Sequence, residues 1–188
     1  MIELIVFLGN PGAQYARNRH NAGRLLAESL AFSSSLAWGR KYKGLYTAFN
    51  GKHLLMPETF MNLSGESVSA AAAFFKIPPE QILVVHDELE LPLGTASLKF
   101  SGGLGGHNGL RSIKACLNTA DFWRLRIGIG RPAYSDIAFW VLSDFTAAET
   151  AILKQALEAC TDVLLHVLKE EPTSLLPEWN KRNCCLEV

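Results

Sequence analysis

The chain alternates between short apolar runs and segments in which apolar residues recur every three or four positions. That rhythm predicts strands and helices in turn. Ile2–Leu8 is the first apolar run and ends at Gly9-Asn10-Pro11-Gly12, which reads as a buried strand followed by a turn. Asn21–Ala31 carries Ala22, Leu25, Leu26 and Leu30 at helical spacing. Leu45–Phe49 and Lys52–Met56 flank Asn50-Gly51, a pair that tolerates positive φ at both positions and so predicts a hairpin. Ser64–Phe75 sets Val68, Ala71, Ala72 and Phe75 on one helix face, with Pro78-Pro79 as the stop. Ile82–His86 is a second buried strand and empties into Asp87-Glu88-Leu89-Glu90-Leu91-Pro92. Thr95–Phe100 is a third, followed by the glycine-rich stretch 102–109 and a helix with Leu110, Ile113 and Leu117 on one side.

Trp123–Ile129 alternates Leu125, Ile127 and Ile129 against Arg124, Arg126 and Gly128, which predicts a half-buried strand with both arginines on its other face. Thr146-Ala147-Ala148-Glu149 has the form of a capping box. The helix it opens runs to about Lys169, buries Ile152, Leu153, Ala156, Leu157, Cys160, Leu164 and Val167, and ends at Pro172. Alternating strands and helices with one inserted hairpin predict an α/β fold. The expectation is a single domain over residues 1–188, a twisted mixed sheet with helices on both faces. Ligands in such sheets sit at the carboxyl ends of strands, and Asn10 and Asp87 both follow predicted strands.

Composition narrows the class. At 188 residues, 48% hydrophobic and 19% charged, the chain is globular and long enough for a full core. No run approaches the roughly 18 apolar residues of a membrane span. The first eight residues carry Glu3 and no basic leader, so a cytoplasmic protein is expected. Cys116 and Cys160 fall on helix faces and Cys184 and Cys185 are adjacent; without a CxxC pair they indicate neither a zinc knuckle nor a disulfide framework. The net charge of zero hides blocks: residues 1–57 hold seven Lys/Arg against two Asp/Glu, and residues 95–135 hold six against Asp121 alone. Those two blocks form an anion-binding surface if the fold brings them together, and otherwise are ordinary solvated charge.

The chemistry-bearing residues are neutral and lie in turns. His20 is the leading general base, because an imidazole titrating near 6.5 is available at physiological pH. A carboxylate on one ring nitrogen would leave the other free to take a proton from water, and Asp87 is the partner the pattern favours. Each also has a bland reading: His20 begins a helical pattern, and Asp87 lies in an acidic loop. Both alternate faces of the preceding strand are apolar, so the pattern does not decide whether His86 or Asp87 faces the site. Asn10, Asn62 and Asn108 are amide donors suited to an oxyanion, or else a turn former and two helix caps. The glycine loop, between a strand and a helix, suits an anion at a helix N-terminus, yet it matches neither GxxxxGK[ST] nor GxGxxG. His20, His86 and His107 lack metal-ligand spacing, and no cofactor is expected.

Five co-linear motifs carry a resemblance. They are Gly9-Asn10-Pro11-Gly12-Ala13-Gln14-Tyr15 leading to Arg19-His20-Asn21-Ala22-Gly23; Pro57-Glu58-Thr59-Phe60-Met61-Asn62-Leu63-Ser64-Gly65; His86-Asp87-Glu88-Leu89-Glu90-Leu91-Pro92; Gly105-Gly106-His107-Asn108-Gly109-Leu110; and Arg124-Leu125-Arg126-Ile127-Gly128-Ile129-Gly130. In order and spacing they resemble bacterial-type peptidyl-tRNA hydrolase up to about residue 145. The resemblance implies a monomeric, metal-independent esterase that cleaves the bond between a peptide and the 3′ ribose of tRNA and so recycles tRNA. By that analogy His20 activates water, Asp87 orients His20, and Asn10 helps to place water or substrate. Asn62, Asn108 and His107 would bind substrate and the reacting carbonyl, with Met61 lining the cleft and Tyr15 at its mouth. Lys99 and Arg126 would hold the acceptor-end phosphate. Leu104 stands where the family often has His, and Asp136 stands near a position usually basic. Both changes bear on tRNA affinity rather than on the chemistry.

Overall fold

A computed structural model of the protein describes residues 1–30, 32–133 and 136–185. Its elements in chain order are β1 (Leu4–Phe7), α1 (Ala22–Ser29), β2 (Gly39–Lys41), β3 (Gly44–Phe49), β4 (Lys52–Pro57), α2 (Ser64–Phe75), β5 (Ile82–Glu88), β6 (Thr95–Phe100), α3 (Asn108–Leu117), β7 (Trp123–Gly128), α4 (Ile137–Val141), α5 (Ala147–Val167), α6 (Leu176–Trp179) and β8 (Arg182–Asn183). The described strands form one mixed sheet in the order β2-β3-β4-β1-β5-β7-β6-β8. The central four, β4, β1, β5 and β7, run parallel, and the outer pairings are antiparallel. This is the expected α/β class, with helices on both faces.

The two apolar sets of each central strand go to different cores. Ile5, Phe7, Leu83, Val85, Leu125 and Ile127 pack with α1 and α5 on one face. Leu4, Val6, Ile82 and Val84 pack with Val68, Ala71, Leu110 and Ile113 of α2 and α3 on the other. That double burial is why the strands read as continuous apolar runs. Truncating such a leucine to alanine costs about 2–5 kcal/mol.

Local signals held where their physics is local. Asn50 and Gly51 turn the β3–β4 hairpin at φ of 50° and 76°. The Thr146–Glu149 capping box forms with both of its bonds. Helix α2 has the expected bounds, and Lys76 in the left-handed conformation closes it ahead of the prolines. Other details differ. Helix α1 ends at Ser29, and Ala31 lies outside the described residues. Helix α5 stops at Val167, and its Ile152 is exposed rather than buried. The strand β7 is not half-buried: Arg124 is 1% exposed, and its guanidinium donates to the carbonyls of Gly102 and Gly103 at 2.8 and 2.6 Å. The partners come from a distant loop, so strand periodicity gave no sign of them. Short β2, α4, α6 and β8 carry too few residues for a periodic signal.

Candidate active site

Strand β5 reaches past Val85 to Glu88, so Asp87 lies inside it, pointing to the α1 side in line with Leu83 and Val85. His86 lies on the opposite side. The segment that carries His20 is a 3-10 turn, Arg19–Asn21, leading directly into α1. It settles over the strand ends because Gly23 has no side chain: a Cβ there would fall 2.7 Å from the carbonyl oxygen of Leu8 and 2.5 Å from that of Val85. Backbone against backbone, the start of α1 drops onto β1 and β5, and His20 meets Asp87.

The contact is a buried hydrogen-bonded pair. His20 Nδ1 lies 2.9 and 3.0 Å from the two Asp87 oxygens. His107 Nε2 lies 3.0 Å from Asp87 Oδ1. The other nitrogen of His107 accepts from the backbone N–H of Gly109 and Leu110, at 3.1 and 3.4 Å, as the cap of α3. An Nδ1 that accepts fixes the proton on Nε2, so neutral His107 donates to Asp87. Asp87 therefore receives donors from both sides.

The titration follows. Burial would raise Asp87, but the two imidazoles beside it, by charge and hydrogen bond, hold it well below the ordinary carboxylate value. Burial lowers His20, and the charge and hydrogen bond of Asp87 outweigh that and leave it above the ordinary imidazole value. His86 is driven well below that value, first by burial and then by His107. Its Nδ1 donates to the Asp87 carbonyl at 2.7 Å, and its buried Nε2 has no hydrogen-bond partner among the described residues.

His20 Nε2 makes no hydrogen bond among the described residues, and the ring lines two adjoining cavities. One, about 350 Å³, is walled by Asn10, Tyr15, Phe60, Met61, Asn62, Asn108 and Leu142. The other, about 240 Å³, extends past His86, His107, Leu104 and Leu89 to Arg131. Ala138 and Val141 of α4 border both.

The three asparagines differ in what they are free to do. Asn10 accepts the Met61 N–H at 2.8 Å through Oδ1, which turns its amino group away from that bond. Asn21 brackets the Asn10 backbone, accepting from its N–H at 2.8 Å and donating to its carbonyl at 3.0 Å. Asn62 and Asn108 are exposed on the cavity rim. Neither caps a helix by its side chain: the residue before α2 is Leu63, and His107 takes that position before α3. Gly109 makes room for Met61, since a Cβ there would fall 2.6 Å from its sulfur.

Lys99 and Arg126 lie together elsewhere, in a groove shared with Asn180 and Lys181. Asp136, where a cation was expected, is the cap of α4, its carboxylate accepting the Ala138 N–H at 2.8 Å. Leu104 forms part of the apolar lining beside His107. Cys184 and Cys185 are partly buried and lie outside the cleft.

One group of described residues has metal-type donors close together, His20, Asp87 and His107, within 4.8 Å of one another. Their facing atoms already share imidazole protons in hydrogen bonds, and a cation would have to expel those protons. The donor set fits a proton-handling site better than a metal cage.

An imidazole oriented by a buried carboxylate, at the carboxyl edge of an α/β sheet and beside a rim of amides, defines an enzyme site built to take a proton from water. The comparisons make this specific. The family model described as peptidyl-tRNA hydrolase matches residues 4–185. A peptidyl-tRNA hydrolase from Treponema pallidum (strain Nichols) is 50% identical over 193 residues, covering 96% of each chain. One from Haemophilus influenzae (strain PittGG) is 51% identical over 177 residues, covering 90% of this chain and 91% of its own. The crystal structure of peptidyl-tRNA hydrolase from Acinetobacter baumannii superposes with a TM-score of 0.90 at 36% identity, covering 98% of this chain and 97% of that one. The chain belongs to the peptidyl-tRNA hydrolase family.

Proposed function

We propose that this chain hydrolyses the ester between the peptide and the 3′ ribose of tRNA, with His20 as general base. The observation that carries the reading is the His20–Asp87 bond, which occupies Nδ1 and leaves Nε2 facing the cleft. Water donates a proton to Nε2 as its oxygen attacks the ester carbonyl. The resulting oxyanion accepts from amide N–H groups, for which the free amino group of Asn10 and the rim amides of Asn62 and Asn108 are the candidates. Collapse breaks the bond to the ribose 3′ oxygen, which takes the proton back from His20. The products are a peptide acid and tRNA with a free 3′ hydroxyl.

Asp87 keeps the proton of neutral His20 on Nδ1 and stabilises the imidazolium that forms. His107 acts through Asp87, since both of its ring nitrogens are engaged; its ring face is what remains for substrate. Tyr15, Phe60, Met61 and Leu142 offer apolar walls for peptide side chains. Lys99 and Arg126 offer the acceptor-end phosphate a cationic groove. No described helix is long and apolar enough to cross a membrane. On this reading the chain works as one domain over residues 1–188, as a monomer in the cytoplasm where its substrate is made, and light scattering of the purified protein checks the monomer.

The test is multiple-turnover release of peptide from peptidyl-tRNA by the wild type and by His20→Ala. Rapid release by the wild type and its collapse in the variant are expected. Near-normal turnover without the imidazole would remove His20 from the mechanism, and binding without cleavage by the wild type would leave only an RNA-binding module.

A further inference from the structure

Arg19 precedes His20 and is 3% exposed, yet nothing in the proposed reaction uses it. Its side chain crosses to the segment after α4. Nη1 donates to Ser143 Oγ at 3.0 Å and to the Asp144 carbonyl, and Nη2 donates to both carboxylate oxygens of Glu149 at 2.7 Å. The guanidinium carbon lies 3.8 Å from the Trp140 ring centroid and 5.0 Å from that of Phe145. The backbone repeats the link: Arg19 N–H donates to the Ser143 carbonyl at 3.0 Å, and Asn18 Nδ2 donates to Asp144 Oδ1 at 2.6 Å.

The segment held in this way continues from α4, which is a wall of the cleft. Helix α4 borders both cavities that flank His20, through Ala138 and Val141. It has no buried residue of its own, and Ile137 and Phe139 are exposed at 42% and 70%. Trp140 and Val141 are half-buried against the core, and polar ties add to that anchorage in setting its position. Toward the His20 side, the side-chain ties are those of Arg19 and Asn18.

We propose that Arg19 is a positioning residue that fixes the distance between the α4 wall and His20. This rests on the esterase reading above. A guanidinium suits the geometry: Nη2 donates to both carboxylate oxygens while Nη1 reaches a carbonyl and a hydroxyl, with the guanidinium carbon over an indole. A lysine in its place keeps the charge and loses the fork.

The experiment measures kcat, KM and the pH dependence of kcat/KM with peptidyl-tRNA for wild type, Arg19→Lys, Glu149→Ala and Thr146→Ala. The last removes the hydroxyl bond of the capping box but leaves the Arg19 carboxylate pair in place, so it reports the effect of weakened helix capping alone. Arg19→Lys should lower kcat/KM by roughly tenfold or more, chiefly through KM, because a displaced wall holds substrate poorly. Glu149→Ala should lower it by about threefold. Both should keep the acid limb of the profile where wild type has it, since the His20–Asp87 bond is intact. Thr146→Ala should melt earlier with unchanged kinetics. Folded Arg19→Lys with kcat and KM within about twofold of wild type would overturn the proposal. So would a fall in kcat at constant KM with a displaced acid limb, which would assign Arg19 to the proton chemistry of His20. Should Arg19→Lys not fold, Glu149→Ala against Thr146→Ala decides by the same criteria. A wild type that releases no peptide would instead sink the esterase reading.

Discussion

The acid–base centre and the basic groove are opposite kinds of site. In the first, Asp87 is 3% exposed and takes donors from His20 and His107. In the second, the Lys99 ammonium makes no hydrogen bond or ion pair among the described residues, and Arg126 spends one nitrogen on Ser97 Oγ at 2.9 Å with Glu88 3.5 Å from another. Proton transfer needs atoms held to within tenths of an ångström, and burial with a full set of partners provides that. Docking a phosphate needs charge left unneutralised and free to adjust. On the proposed reading, the proton-transfer site is set by bonds already made, and the docking site by a Lys99 unpaired among the described residues beside an Arg126 with one long ion pair.

The largest effect should come from the centre. His20→Ala removes the base and should cut kcat by roughly 10²–10⁴-fold at nearly unchanged KM, read under single turnover. Asp87→Asn should come next, at about 10²-fold or more. An amide has one acceptor oxygen where the carboxylate has two, and its N–H turned toward His20 would push the ring proton onto Nε2. A variant retaining wild-type kcat would show that Asp87 only fills space.

The groove should answer differently. Lys99→Ala or Arg126→Ala should raise KM several-fold, by about three- to tenfold, and flatten the slope of log KM against log salt by about one. If kcat falls instead while KM holds, the contrast between the two sites fails. The smallest effect is a displacement in pH. His20 must be neutral to accept a proton, and Asp87 holds it above the ordinary 6.5. Activity should therefore rise with pH through a midpoint above that value, and a midpoint below it would mean burial outweighs Asp87. Stability has the opposite acid logic at Asp87. Its depressed pKa contributes stability present above the ordinary carboxylate value of 3.8 and lost as pH falls through the depressed one.

Much of this was legible beforehand because it depends on neighbours in the chain. The hairpin follows from Asn50-Gly51, the long helix start from Thr146 and Glu149, and the parallel core from runs such as Ile82–Val85. The motif order marked His20, Asp87 and the asparagines as candidates. Arg124 and Arg19 show where such reading stops. Arg124 was expected on the open face of its strand and Arg19 only as part of a motif, and each satisfies carbonyls of a remote loop, Gly102 and Gly103 in one case, Ser143 and Asp144 in the other. His107, expected at the substrate, has its two nitrogens on Asp87 and on the start of α3, pairings that the motif spacing did not foretell.

The amino-acid order by itself determined the longer strands and helices and the candidates for the chemistry, since these rest on periodicity, turn preference and side-chain type. Only the folded chain decided that Asp87 rather than His86 meets His20, that His107 bonds the same carboxylate, and that Arg19 bonds the segment after α4. Those outcomes depend on contacts between residues 20 to 130 positions apart. Such pairings arise from how the helices seat on the sheet, and a close approach such as that of Gly23 to Leu8 and Val85 sets them.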